Sequence, residues 1–501
     1  MRSKRALINM IINFINIIVL TVATFILPQL IIRTFGSDSN GLVQSIKQFI
    51  NWSILLRLGM LLATRAALFK PLAQKDFTAV SEIVLAMSNF MKRVAVIFSF
   101  LLLLLACLYP LTVIENFSWV FSFTMVIIIG LGAAVQYFLG ITYQALLETD
   151  QKQYLISGIN IFSTIIGTIF AVIAILLGAK IHVAMLITVF ASTINPIFIF
   201  LYSNRHYKFV KDVKPNNDVL KQMREASAIS FSVFASRSVG VVIVTIFLNV
   251  FEVSVYTTYF LVISGVQMLL TTVMQGIGVF FGDMLAKNEH QLIEKNLRLY
   301  ELVVFGFVTF FCAVVFYQLT PFVSVYTKGV TDIDYFRPIF GYIACISAYF
   351  QCIRTPYQTI IETAGHFKQT RNGAIFEAIM CITISLVLVN LIGITGAVIG
   401  TLFAGIFRTF QYSIYLYKNI VKKKLYFFIK RLLLSLMSIG IIIAFSQLIK
   451  LPVSDNYLTW TINSCILSLI ALSVVFFINF IFYRDETFMV CKKLKNALTK
   501  R

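Results

Sequence analysis

Five basic residues stand inside long apolar runs of this chain: Lys47, Arg57, Arg237, Arg354 and Arg408. A charge in such a run is costly and ordinarily faces the protein interior or a wet cavity. Arg237 lies 11 residues into its run, among Ser230, Ser232, Ser236 and Ser238, about 16 Å deep at the rise of a helix. Arg408 lies ten residues before Lys418, about 15 Å from that end. Arg354 is followed by Pro356, which removes a backbone donor and can kink a helix. Arg57 is nearer one mouth of its run, and Lys47 is in the opposite half. Glu148, Glu252, Asp283, Glu362 and Glu377 all fall near run ends, so no carboxylate is expected at the arginines' depth. A buried charge without a partner is expensive. A hydrated cavity awaiting an anionic ligand resolves the imbalance, and the forked guanidinium suits phosphate. The competing reading is structural: each cation snorkels to the surface or pairs with a carboxylate or backbone carbonyls.

Neutral polar residues form two stripes. Asn9, Asn13 and Asn16 share one face of the first run, and Gln44, Lys47, Gln48 and Asn51 share one face of the second. Arg57 is more than about 90° from the centre of that second stripe at 3.6 residues per turn. Asn13, Asn16, Gln44, Gln48 and Asn51 are candidates to line the cavity and meet sugar hydroxyls. Amides at these positions serve equally well as glue between helices. Several chemistries are not signalled. No G-x-x-x-x-G-K-[ST] segment points to ATP hydrolysis. The seven Cys form no C-x-x-C pair and the four His are scattered, so no metal site or cofactor is expected. No nucleophile–base pair or carboxylate dyad can be nominated, and an enzyme is not expected.

The elements that must position these residues are membrane helices. The 501 residues are 59% hydrophobic and 13% charged, with mean hydropathy +0.88. Soluble domains carry about 25% charge, and a bilayer core needs roughly 20 apolar residues per helix. Fourteen spans are predicted, near 8–32, 41–62, 92–110, 118–145, 154–178, 181–202, 226–250, 254–281, 300–320, 337–361, 373–392, 395–417, 432–449 and 458–482. Of 42 Lys and Arg, 32 fall on the side of the N-terminus and five on the other. That asymmetry predicts cytoplasmic termini, and it explains the net charge of +21 without nucleic acid. The mixed connections 63–91 and 283–299 are predicted to lie along the cytoplasmic interface as amphipathic helices.

An internal echo organises the spans. Tyr143-Gln144-Ala145-Leu146-Leu147-Glu148-Thr149 returns in the second half of the chain as Tyr357-Gln358-Thr359-Ile360-Ile361-Glu362-Thr363. Leu72-Ala73-Gln74-Lys75-Asp76 returns, more loosely and at nearly the same offset, as Leu285-Ala286-Lys287-Asn288-Glu289. The expected architecture is all-α: two parallel six-helix repeats and two appended C-terminal helices. Its expected boundaries are an N-terminal lobe with its cytoplasmic loop at 1–225, a second lobe at 226–417, and two extra helices with a basic tail at 418–501. Parallel repeats place a site between them that is exposed alternately to each side.

The chain resembles the bacterial polysaccharide repeat-unit flippases of the multidrug/oligosaccharidyl-lipid/polysaccharide (MOP) exporter superfamily. The resemblance rests on the spans and repeats and on Phe35-Gly36 with Gly41-Leu42. It rests also on Leu58-Gly59-Met60, the two Tyr-Gln…Glu-Thr ends, and Gly393-Ile394-Thr395-Gly396-Ala397-Val398-Ile399-Gly400. It implies a V-shaped bundle around a cationic cavity in the bacterial cytoplasmic membrane. The implied substrate is an undecaprenyl-pyrophosphate-linked oligosaccharide, for capsule, O-antigen or exopolysaccharide assembly. By analogy with lipid II flippases, Arg57, Arg237, Arg354 and Arg408, with Lys47, would hold the pyrophosphate. Implied partners are membrane lipids, a polysaccharide polymerase and chain-length proteins. The alternatives are a cation-coupled multidrug exporter of the same superfamily and a membrane polysaccharide polymerase. The first run lacks the carboxylate expected of such an exporter, and the short outer connections leave little room for a polymerase's catalytic loop.

Overall fold

The computed structural model describes residues 2–53, 55, 60–210, 213–215, 240–274, 281, 284, 289–449, 452 and 454–499. Among them the regular structure is helical. The helices are α1 (Arg2–Phe35), α2 (Ser37–Trp52), α3 (Met60–Gln74), α4 (Phe77–Thr112), α5 (Trp119–Val135), α6 (Ile141–Thr149), α7 (Gln153–Leu176) and α8 (Ile181–His206). There follow α9 (Val250–Met274), α10 (His290–Tyr326), α11 (Pro338–Ile353), α12 (Thr355–Thr363), α13 (Phe367–Ile392) and α14 (Ile394–Tyr415). The last are α15 (Tyr426–Leu448), α16 (Tyr457–Phe482) and α17 (Arg484–Thr499).

Eleven helices among the described residues are long and apolar enough to cross a membrane. Three predicted spans are not among them. The span at 41–62 begins as α2 and runs into residues outside the description, as does most of the span at 226–250. The span at 337–361 is broken at Arg354 into α11 and α12, with Pro356 at the start of α12 unable to donate to the preceding turn. Large apolar side chains remain exposed along the helices, Leu177 at 81% and Leu469 at 67% among them. In water such a surface would be prohibitive; against hydrocarbon it costs nothing.

Two connections differ from expectation. Residues 77–91 and 290–299 are the first turns of α4 and α10, helices of 36 and 37 residues, not separate helices on the membrane surface. Each runs about 55 Å at 1.5 Å per residue, well beyond a hydrocarbon core of about 30 Å. Asp76 starts α4 by accepting from the amides of Thr78 and Ala79 at 3.1 and 3.0 Å. The short α3 is the only described part of that connection that stands apart from a spanning helix.

The chain divides into two compact units, residues 1–257 with 330–333, and residues 258–329 with 334–501. The first has a core in which Leu42, Val43 and Ile46 of α2 join Ile31 of α1, Met87 and Phe98 of α4, and Leu146 of α6. Gly36, at φ 95°, supplies the sharp turn from α1 to α2 that only glycine adopts freely. Asp332 then clasps the start of α2, accepting from the Ser37 amide at 2.6 Å and hydroxyl at 2.7 Å. In the second unit, Tyr300 and Val304 of α10, Tyr357 and Ile361 of α12, and Phe428 of α15 form the core.

Candidate functional site

The polar stripe on α2 keeps an open face. Leu42, Val43 and Ile46 bury the opposite face completely, while Lys47 and Asn51 are exposed and Gln44 and Gln48 half-buried. Gln44 donates to Asn40 at 3.4 Å, and Asn40 in turn donates to Ser254 of α9 at 2.7 Å. Among the described residues no carboxylate lies within salt-bridge distance of Lys47. The stripe combines one cation with amide donors and acceptors, a set able to hold an anionic, hydroxyl-rich headgroup. Arg57 and Arg237 lie outside the described residues.

The stripe on α1 is used differently. Asn9 donates to the Gln151 carbonyl at 3.0 Å and accepts from the Tyr154 amide at 2.8 Å. Asn13 accepts from Ser157 at 3.5 Å, and Asn16 from Asn160 at 3.1 Å. These bonds run along α7 and the residues just before it, so Asn13 and Asn16 hold two helices together. Of the two roles open to them, the structure uses them as glue.

Arg354 and Arg408 also depart from expectation. Both are buried, at 4% and 3% exposure, and they converge on Glu377 of α13. Arg354 Nη1 donates to Glu377 Oε1 at 2.7 Å, and Arg408 Nε lies 3.3 Å from Oε2. Arg408 further donates to the Thr370 carbonyl at 3.0 Å, to the Tyr412 hydroxyl at 2.6 Å and to Gln411. The expectation that no carboxylate reaches the arginines' depth is therefore corrected. Helix α13 begins at Phe367, so Glu377 stands well inside it rather than at its mouth. Two guanidiniums sharing one carboxylate join α13 and α14 to the break between α11 and α12, in place of lining open space.

A second buried ion pair escaped the sequence reading. Glu301 of α10, fully buried, lies 3.2 Å from Arg431 of α15. Its Oε1 accepts from the hydroxyls of Tyr357 and Tyr417, each at 2.8 Å. Arg431 donates to the Arg298 carbonyl at 2.9 Å. Both charges sit beside a predicted span end, where they read as ordinary boundary charges. Only the packing of α10 against α12 and α15 encloses them.

The repeated Tyr-Gln…Glu-Thr segments carry one local bond in common. Gln144 donates to Glu148 at 2.9 Å, and Gln358 to Glu362 at 2.7 Å. Glu148 is also paired with Arg65. At the start of α2, burial and the neighbouring charge of Asp332 raise the Asp38 carboxyl above its usual range.

No protein-family model matches the sequence, and no curated protein matches it. Solved structures do. A lipid II flippase, MurJ, in an inward closed conformation superposes with a TM-score of 0.70 at 16% identity, over 96% of this chain and 99% of that one. An inward-facing multidrug resistance MATE family transporter of the MOP superfamily superposes at 0.59 and 13% identity, over 79% and 94%. The Vibrio cholerae MATE transporter VcmN superposes at 0.57 and 15% identity, over 85% and 99%. This multi-pass helical chain thus has the fold of MOP-superfamily flippases and exporters.

Proposed function

We propose that the protein is a flippase that moves polyprenyl-pyrophosphate-linked oligosaccharide repeat units across the bacterial cytoplasmic membrane for surface polysaccharide assembly. The observation that carries this reading is the extent of the likeness to a lipid II flippase. A match over 96% of the chain leaves out far fewer residues than lie beyond residue 417, so it extends into α15 and α16. The likenesses to MATE transporters cover 79% and 85% and leave room to omit those helices. Two parallel six-helix repeats plus the two appended helices are the architecture this reading uses.

In this reading Lys47 meets the pyrophosphate, with Arg57 and Arg237 as further candidates, while Gln44, Gln48 and Asn51 meet the glycan. Arg354 and Arg408 are withdrawn from direct contact and keep helix positions instead. The lipid tail stays in the bilayer as the headgroup crosses between alternating states. A polymerase and chain-length proteins would take the product on the far side.

The test is reconstitution in liposomes with a polyprenyl-pyrophosphate-linked oligosaccharide, scoring headgroup appearance in the outer leaflet. Wild-type protein should accelerate it, and Lys47→Ala should lower the rate about tenfold while Lys47→Arg retains most of it. No acceleration by wild-type protein overturns the reading. Cation-driven efflux of organic cations from the same liposomes, without headgroup movement, would establish the multidrug exporter that the MATE likenesses favour. Glycan chain growth would establish a polymerase.

A further inference from the structure

A cleft opens in the second unit where α10, α15 and the end of α16 meet. Arg298, Lys430 and Arg431 line it together with the rings of Tyr426, Phe427 and Tyr483. Its cations are not equivalent. Arg431 is committed to Glu301, and Arg298 to Glu294 at 2.8 Å. Lys430 is half-buried, 5.3 Å above the Tyr483 ring and 5.9 Å above that of Phe482. No carboxylate among the described residues lies within salt-bridge distance of it. Tyr483 contributes its ring to the wall, and its hydroxyl is buried out of reach of a ligand in the cleft.

The location restricts what can pair with the Lys430 ammonium. The cleft lies at the ends of α15 and α16 that carry Lys422, Lys423, Lys424 and Arg484, the basic edge where a membrane helix meets lipid headgroups. Tyrosine and phenylalanine rings at that level suit the boundary between acyl chains and water. An ammonium without a carboxylate partner and apolar rings together match a phosphate ester carrying acyl chains. Basic pockets between helices at this depth are where lipid phosphates dock. Glu486 also lines the cleft and would disfavour a multiply charged anion, so a phosphodiester with one charge fits better than free phosphate.

We propose that this cleft binds the phosphodiester of a membrane phospholipid through the Lys430 ammonium, with the aromatic rings against the lipid, and so fastens α15 and α16 to α10. The site is independent of what the protein transports. Full-length protein stripped of lipid in mild detergent would be titrated with phosphatidylglycerol, with a phosphate-free glucosyl diacylglycerol of equal chain length, and with inorganic phosphate. Native mass spectrometry and thermal melting would read the result. Phosphatidylglycerol should stay bound and raise Tm, and the other two should not. Lys430→Gln should weaken phosphatidylglycerol binding about fivefold or more while leaving lipid-free melting in place. Lys92→Gln, which removes an exposed cation on α4, should change nothing. Equal lipid binding by Lys430→Gln and wild type overturns the proposal, as does an equal fall in Lys92→Gln. Equal binding of the glucosyl lipid removes the phosphate from the proposal, and equal stabilisation by inorganic phosphate removes the lipid.

Discussion

Helices α4–α8 and α10–α14 follow the same sequence of lengths and breaks yet differ in charge at matched interior positions. The long helices α4 and α10 begin at Phe77 and His290, and α7 and α13 begin at Gln153 and Phe367. Both pairs keep the spacing of the echoed Tyr143 and Tyr357 segments to within one position. The second helix of each series is interrupted, by a π-helical turn at Gln136–Gly140 in one and at Arg354 in the other. In the later series Arg354, Glu377 and Arg408 form a buried charged cluster. Their counterparts at the spacing of the echo are Gly140, Ser163 and Ile194. A Cβ added at Gly140 would come within 2.6 Å of the Gln136 side chain and 2.9 Å of Pro196, so close packing fills the place of the guanidinium. Likewise Glu301 corresponds to Met87, whose sulfur accepts from Thr64 at 2.9 Å, and Tyr417 to Ser203. At these matched positions one backbone plan is thus held by neutral packing in one region and by ion pairs in the other. Replacing a buried charge cluster with well-packed neutral residues need not weaken a fold, whereas removing one member strands the rest.

That contrast can be broken at its strongest point by Glu377→Gln. With both guanidiniums deprived of their carboxylate, the loss should be about 3–5 kcal/mol, read as a large fall in Tm and in monodisperse yield from detergent. Ser163→Ala, at the matching position, should cost no more than about 1 kcal/mol. Equal losses would mean that the two regions are not held differently. A smaller effect, about 2–4 kcal/mol, is expected for Glu301→Gln, because the amide oxygen still accepts from Tyr357 and Tyr417. Adding Arg431→Met to that variant should restore at least half of the lost Tm, since the pair then leaves together. A double variant no better than the single one would show that Arg431 acts through contacts other than Glu301. The smallest effect compares the two helix starts. Asp76→Ala removes the side-chain cap of α4 and should cost about 1 kcal/mol, with faster hydrogen exchange at the Thr78 and Ala79 amides. Glu289→Ala at the start of α10, where the carboxylate caps nothing, should leave both Tm and exchange unchanged.

Much of the fold was legible because hydropathy and helix length are local properties. A run of about 20 apolar residues announces a span whatever surrounds it, and eleven of the fourteen predicted spans correspond to helices long and apolar enough to cross. The break at Arg354 was foreshadowed by Pro356, again a local effect. The site was less legible. The stripe on α2 and the stripe on α1 are alike in spacing and residue type, yet one keeps Lys47 and Asn51 exposed and the other meets α7. Nothing within either helix distinguishes the two fates, because the difference lies in what packs beside them.

Composition and periodicity by themselves determined that this is a multi-pass helical membrane protein with cations at unusual depth and one segment echoed between its halves. Only the tertiary structure decided which of those cations are neutralised. Lys47 remains open, while Arg354 and Arg408 are bound to a carboxylate on another helix, and Glu301 of α10 finds its arginine on α15, with four helices between them in the chain. The physical reason is range: the cost of burying a charge is fixed where the residue sits, but its relief comes from a partner brought near by packing, and sequence distance carries no record of that meeting.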